Sequence, residues 1–469
     1  MVKKTVPKKL TFMSIYCLGI NGIIGSGAFL LPQSIYKDMD LLSVVVLLSA
    51  ALTVGLIALC YADLASRFTG SGAAWLYSYN AFGRFAGYEL GVFTWFLGCC
   101  TYAAEVVAFL TTLKSFVPAF NQSSVYFAVG IGLVLLFSII NFFGRALVKI
   151  IDNTSSIAKL STIILFIIVG MFFMHIANFH PVLPAAAAKG VGPFFHHFGA
   201  AFSVVFYLFS GFSFIPIAAS QMKDPAKNIP RALVAVMVTV TILYTLMVLI
   251  AIGILGHKMS WYTIPIANAF KSAVGEWGYV IIIIGVLLSI FGVAFTCSFN
   301  TPALIASLAL EHQLLPNWVG KKNKFDAPWV GIILTAAVTL LLITQSYLFL
   351  VGCIVLASFV QYVPSIFAVI KFKHTGQYPN HGFKLPGGYT IPILALLVAC
   401  YLIFNFTWET ILLSIVVAAV TAVLYLFLGK KRLAKMGGIP TAVREKKNHI
   451  EADLKKKNFV DDMFKEYAK

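Results

Sequence analysis

Apolar stretches long enough to cross the roughly 30 Å hydrocarbon core of a bilayer recur along the whole chain, and nothing else constrains its fold as much. At about 1.5 Å of helical rise per residue twelve segments qualify: 11–36, 41–66, 84–113, 125–143, 154–178, 197–220, 231–255, 278–309, 328–345, 347–371, 389–407 and 409–429. Of the 469 residues 60% are hydrophobic and 11% charged, against about a quarter charged in soluble domains. One helical membrane bundle is therefore expected. The net charge of +18 does not imply nucleic acid, because the basic residues are confined to tails and short loops, where a lipid surface accounts for them. Lys3, Lys4, Lys8 and Lys9 precede the first segment, and Arg67, Arg84, Arg145, Lys149, Lys223, Lys227, Arg231, Lys321, Lys322, Lys324, Lys371, Lys373 and Lys384 fall in alternate loops. By the positive-inside rule both termini are cytoplasmic, which requires an even number of crossings. Residues 1–10 then form a basic cytoplasmic segment and 430–469 a basic cytoplasmic tail, either solvated or amphipathic on the inner leaflet.

Two of the stretches carry the same interruption. Gly25-Ser26-Gly27 is followed by Ala28-Phe29-Leu30-Leu31-Pro32, and Ser210-Gly211 by Phe212-Ser213-Phe214-Ile215-Pro216; both read Ser-Gly, four residues, Pro. Within a bilayer, unpaired backbone groups are tolerated only where they line a cavity or are covered by protein. Two broken helices in corresponding places therefore imply a small polar site at mid-depth, as in a transporter. The amides after Gly25-Ser26-Gly27 and the Ser26 hydroxyl suit a carboxylate. The carbonyls of Ile23, Tyr207 and Ser210 end half-helices and suit an ammonium group. Together they match a zwitterionic α-amino acid. The alternative is that Gly25, Gly27 and Gly211 permit close helix packing.

Glu105 and Lys159 lie deep within apolar segments, where a charge costs about 2.5–3.5 kcal/mol even on the lenient insertion scale, so each is expected to face the bundle interior. Without a role in binding, Glu105 would be a carboxyl held protonated or hydrogen-bonded by neighbours such as Tyr102. The seven cysteines show no metal-ligand spacing and no C-x-x-C pair, so neither a disulfide nor a metal site is expected. His196 and His197 read as a solvated pair on the outer side.

The chain resembles the amino acid, polyamine and organocation (APC) transporters, and in particular bacterial amino acid permeases and exchangers. The resemblance runs from the first helix to about residue 330. It rests on Gly22-Ile23-Ile24-Gly25-Ser26-Gly27-Ala28-Phe29 with Pro32, on Gly70-Ser71-Gly72-Ala73-Ala74-Trp75-Leu76-Tyr77-Ser78-Tyr79 leading to Ala81-Phe82-Gly83-Arg84-Phe85-Ala86-Gly87-Tyr88, and on Lys223-Asp224-Pro225-Ala226-Lys227-Asn228-Ile229-Pro230-Arg231. It implies an all-α membrane fold of twelve helices: a first five-helix repeat over 11–178, an inverted second repeat over 179–373, and two peripheral helices over 374–429. Helices one and six are unwound mid-membrane. It also implies a substrate site built from Ile23, Gly25, Ser26, Gly27, Gly98, Glu105, Tyr207, Ser210, Gly211, Ser213 and Cys297, with Tyr207 as an aromatic gate and Glu105 in the side-chain pocket, where it would select a cationic side chain. Lys159 and Ser289 fall where sodium-coupled relatives hold their ion; the lysine there is either a proton carrier or a permanently charged strut. Three positions depart from the family pattern. Ser213 stands where many members have Glu or Asp, Cys297 near a pocket aromatic, and Ala303 in place of an Arg.

The expectation is a secondary active transporter of amino acids in the cytoplasmic membrane, working by alternating access. Sodium-independent, proton-coupled uptake leads, and exchange of an amino acid against an amine or another amino acid is the alternative. No catalytic residue and no cofactor are expected, since the chain offers no H-E-x-x-H or comparable constellation. The expected partners are the amino acid, protons and lipid, with the protein a monomer or a homodimer.

Overall fold

The computed structural model describes residues 9–68, 70, 72–143, 148–310 and 312–426; most of the basic N-terminal segment and the whole tail from 430 lie outside these. Among the described residues the chain is all-helical. The first apolar stretch becomes α1 (Phe12–Ile23), α2 (Gly27–Leu30) and α3 (Pro32–Met39), followed by α4 (Ser43–Arg67), α5 (Ala74–Phe82), α6 (Arg84–Lys114), α7 (Ser123–Phe142) and α8 (Val148–Gly170). The second half comprises α9 (Val191–Phe209), α10 (Pro225–Leu255), α11 (Pro265–Val274), α12 (Glu276–Leu310), α13 (Trp329–Leu342), α14 (Tyr347–Thr375), α15 (Thr390–Ile403) and α16 (Trp408–Leu424). A lone β-bridge joins Leu10 to Met222.

Among the described residues eight stretches are long and apolar enough to cross a membrane, and nine if α15 and α16, bent by 112° at their junction, count as one. Phe12–Ile23 and Trp329–Leu342 are apolar but shorter. The chain is a multi-pass membrane protein. Its helix ends follow local chemistry. Ala73 and Gly83, at φ of 48° and 96°, bracket α5, and Pro265 opens α11 at a position where its missing N–H costs nothing. Both are connecting helices too short for the length criterion.

α12 packs against α6 and α8, α14 against α6, and α10 against α4, while α1 lies on α10 and on the segment after α9. The seam between α8 and α12 is close. A Cβ on Gly285 would meet Thr162, and one on Gly292 would meet Ser155. Ser155, Lys159 and Thr162 share one face of α8, as Gly285, Ser289 and Gly292 share one of α12. Lys159 and Ser289 are thus at facing positions of an antiparallel seam of small residues.

At the end of α4 a buried ion pair fixes the loop that precedes α15. Arg67 Nε lies 2.7 Å from Asp63 Oδ2, and Arg67 Nη1 donates to the Tyr378 carbonyl at 2.6 Å. Asn380 Nδ2 donates to Asp63 Oδ1 at 3.0 Å, so both charges are paired and hydrogen-bonded, as burial requires. His197, expected to be solvated with His196, instead places Nδ1 3.3 Å from Asp38 Oδ1, both side chains being half-buried. The docking of α9 on α3 brings them together.

Candidate substrate site at the first-helix break

Helix α1 stops at Ile23, and Ile24 is extended at φ −79°, ψ 98°. The chain resumes helical geometry at Ser26, whose carbonyl accepts from the Phe29 and Leu30 amides at 3.0 and 3.1 Å. Ending one helix and starting another within three residues frees carbonyls on one side and amides on the other. Each finds a partner from a different helix. Lys159 Nζ donates to the Ile24 carbonyl at 2.7 Å and to the Asn21 carbonyl at 3.3 Å. The Tyr244 hydroxyl donates to the Ile23 carbonyl at 3.2 Å.

On the amide side the acceptor is Glu105. Ser26 N donates to Glu105 Oε1 and Oε2 at 3.2 and 3.3 Å, and Ser26 Oγ donates to Oε1 at 3.0 Å. Ser26 Oγ also lies 2.8 Å from the Tyr347 hydroxyl. Ser26, Glu105 and Lys159 are all buried. The partner named for Glu105 from the sequence, Tyr102, is a different case: its hydroxyl has no hydrogen-bond partner among the described residues.

The sixth apolar stretch differs from the first. Where freed carbonyls are expected, α9 passes at Ser210 into a tighter 3-10 helix that runs to Gln221 through Pro216. Proline removes an amide donor and i→i+3 bonding re-pairs the turn around it. The Tyr207 carbonyl accepts from Ser210 Oγ at 2.9 Å. The Ser210 carbonyl accepts from the Tyr362 hydroxyl at 2.8 Å and from Ser213 Oγ at 3.3 Å. A carbonyl has two lone pairs, so each retains limited capacity.

The glycines set how closely these pieces approach. A Cβ on Gly25 would lie 2.6 Å from Glu105 Oε1, and one on Gly27 2.8 Å from the Tyr207 ring. A Cβ on Gly211 would collide with the backbone of Gly22 and Ile23. The two interrupted stretches therefore touch through backbone.

Between them lies a cavity of about 30 Å³, room for one or two waters. Ile23, Gly25, Gly27, Glu105, Tyr207, Ser210 and Gly211 line it, with Leu97, Val293 and Ile354 supplying apolar wall. Of the other residues named from the sequence, Ser26 lies directly behind on Glu105. Gly98, Ser213 and Cys297 are not in the lining. Gly98 instead packs against Thr301, 2.5 Å from an added Cβ. Lys159 and Ser289 sit behind the break in the α8–α12 seam, where the Ser289 hydroxyl has no partner among the described residues. Tyr244, Tyr347 and Tyr362 were not singled out from the sequence. Their only signal is a phenol on an aliphatic helix.

An all-helical, multi-pass fold with polar groups buried at a helix break is consistent with a membrane transporter. The chain belongs to the amino acid permease family, whose model matches residues 10–429. It is 29% identical to an uncharacterised transporter of Mycobacterium bovis over 86% of this chain and 89% of that one. It is 24% identical to the branched-chain amino acid permease BcaP of Bacillus subtilis, over 92% of this chain and 94% of the relative. A methylthioribose transporter of the same organism is 23% identical, over 91% and 95% respectively. Membership of this family makes the protein a membrane transporter for amino acids.

Proposed function

We propose that this protein takes up amino acids with neutral aliphatic side chains by alternating access, without sodium and coupled to protons, with both termini in the cytoplasm. The fold reading that goes with it is twelve crossings in two inverted five-helix repeats plus α15 and α16. In that reading α1, α2 and α3 form one interrupted span and α13 completes the count. The observation that carries the proposal is the break at Ile24–Ser26, where the Ser26 amide and hydroxyl meet the Glu105 carboxylate beside a buried cavity.

The Ser26 amide and hydroxyl already hold one carboxylate, that of Glu105, and the same donors suit the α-carboxylate of a substrate. Binding then requires the substrate to displace Glu105 from Ser26. The ammonium end is directed to the remaining lone pairs at Ile23, Tyr207 and Ser210. The substrate side chain meets Leu97, Val293 and Ile354, an apolar wall that favours an aliphatic group over a cationic one. The branched-chain substrates of the Bacillus permease BcaP agree with that choice.

Lys159 supports sodium independence: its ammonium takes the Asn21 and Ile24 carbonyls that a coordinated cation would otherwise use. Purified protein in sodium-free liposomes should accumulate leucine under an inward proton gradient and show leucine counterflow without one. Uptake that requires sodium would overturn the coupling, and absence of saturable counterflow would overturn the carrier reading.

A further inference from the structure

A large cavity lies away from the break. It is enclosed by α6, α13, α16 and the turn 314–319 after α12, and its volume is about 670 Å³, within the range of about 300–1,000 Å³ typical of small-molecule sites. Along α6 its lining runs from Tyr88 to Phe96, about 12 Å of helix, against about 15 Å for the hydrocarbon depth of one leaflet.

The walls are dry. Val92, Leu334, Val338 and Val420 line it, and two of its polar side chains are already paired: Trp95 Nε1 donates to Thr335 Oγ1 at 3.0 Å and Thr421 Oγ1 to Glu89 Oε2 at 2.7 Å. Such a space suits hydrocarbon and not water.

Its mouth is aromatic and basic. The Tyr88 and Tyr425 rings are 5.0 Å apart, the kind of residue that marks a membrane–water boundary. Arg84, one turn before Tyr88, donates through Nη2 to the carbonyl of Gln313 at 3.0 Å, the residue next to the lining Leu314. Arg84 Nε is buried with no hydrogen-bond partner among the described residues, and a buried charged donor calls for an acceptor. Lys321 and Lys322 follow the lining turn after Gly320, and Lys322 Nζ is paired with Asp326 Oδ1 at 2.9 Å.

We propose that this cavity binds an anionic phospholipid, with an acyl chain between α6 and α16 and the phosphate at Arg84. Arginine is matched to phosphate oxygens by its planar fork of donors. The chain's own tail is a poorer occupant, because residues 430–469 carry twelve Lys and Arg against six Asp and Glu and would meet a basic mouth. Glu89 Oε1 also lacks a partner. It lies about 7.5 Å further along α6 than Arg84, beside the chain and not the phosphate.

Native mass spectrometry of the full-length protein with equal dioleoyl-phosphatidylglycerol and dioleoyl-phosphatidylcholine tests this. Retention of phosphatidylglycerol should exceed that of phosphatidylcholine about fivefold, the factor for one basic residue at a membrane surface. Arg84→Gln should bring the ratio close to one. Val420→Trp, or the milder Leu334→Phe, should lower retention of both lipids while elution volume and melting temperature stay those of the unmodified protein. An unchanged lipid ratio in Arg84→Gln, or undiminished retention in both cavity-filling variants, would overturn the proposal. Two further results would overturn it in favour of another occupant, each with lipid retention unchanged: loss of a dimer in Val420→Trp would assign the cavity to a second copy, and new trypsin sensitivity of the tail would assign it to residues beyond 429.

Discussion

Lys159 and Glu105 hold the same break by adjoining peptide groups: the ammonium takes the Ile24 carbonyl at 2.7 Å and the carboxylate takes the Ser26 amide at 3.2 Å. Neither charge is left unpaired, although their partners are backbone dipoles and not each other. An isolated charge at this depth costs several kcal/mol, and here the interrupted helix supplies the compensation that water would otherwise give. The arrangement also ties the first helix to α6 and α8 at once. Movement of the break must alter one of these two contacts.

If the Lys159 contact is the one that changes during transport, Lys159→Ala should abolish accumulation. It leaves the Asn21 and Ile24 carbonyls without their donor, a cost of about 1–3 kcal/mol for each buried group, so a lowered melting temperature accompanies the loss. Lys159→Arg keeps the charge and donors but does not deprotonate. It should retain leucine counterflow while gradient-driven accumulation falls by about tenfold or more, equivalent to about 1.4 kcal/mol. Normal accumulation in Lys159→Arg at all pH values would make the lysine a strut.

Glu105→Gln tests the displacement model in the opposite direction. A hydrogen bond to a charged acceptor is worth about 1.5–3 kcal/mol and one to a neutral acceptor about 0.5–1.5. The glutamine therefore competes less well for Ser26, and leucine should bind about fivefold more tightly, by isothermal calorimetry, than to the unmodified protein. Weaker leucine binding would instead mean that the carboxylate contributes directly to holding substrate. A strong preference for arginine or lysine that Glu105→Gln removes would show that it selects cationic side chains.

Tyr347→Phe removes the phenol that lies 2.8 Å from the Ser26 hydroxyl and nothing else. Tyr347 is half-buried at the start of α14, so folding should be nearly unaffected. Leucine affinity should fall by about fivefold, corresponding to about 1 kcal/mol for one neutral hydrogen bond. A fall in melting temperature with affinity unchanged would assign Tyr347 to packing.

What was legible in the sequence divides along physical lines. Hydropathy located the long helices because burying apolar surface over some twenty residues leaves a signal within each segment. The Ser-Gly, four residues, Pro pattern marked both special segments, yet the same pattern gives a stop at Ile23 in one and a 3-10 turn from Ser210 in the other. The difference is tertiary: the α1 carbonyls are taken by Lys159 and Tyr244, whereas the Tyr207 carbonyl is taken by Ser210 within its own turn and the Ser210 carbonyl is shared between Ser213 and Tyr362 of α14. Lys159 and Glu105 were visible as charges in apolar surroundings. Tyr244, Tyr347 and Tyr362 were not, because a single phenol gives no local indication of which distant backbone group it meets. Gly98 and Cys297 were named from family position, and in this chain neither reaches the cavity lining.

Two glycines separate binding from packing. At Gly211 an added methyl would strike the backbone of Gly22 and Ile23, which cannot rotate away, so Gly211→Ala should force α1 from the segment after α9 and cost about 1–3 kcal/mol as overpacking does. The melting temperature should drop, whatever the ligand. At Gly27 the nearest atoms to the added one are side-chain atoms, the Tyr207 ring at 2.8 Å and Leu31 Cδ1 at 3.3 Å. A side chain at the cavity can yield, so Gly27→Ala should fold with little change in melting temperature while filling space next to the Ser26 amide. Leucine binding should be weakened about tenfold or more in Gly27→Ala and abolished in Gly27→Val, read as the loss of ligand-induced thermal stabilisation. Unchanged leucine affinity in folded Gly27→Val would remove the first-helix break from the substrate site altogether and leave its glycines a packing device.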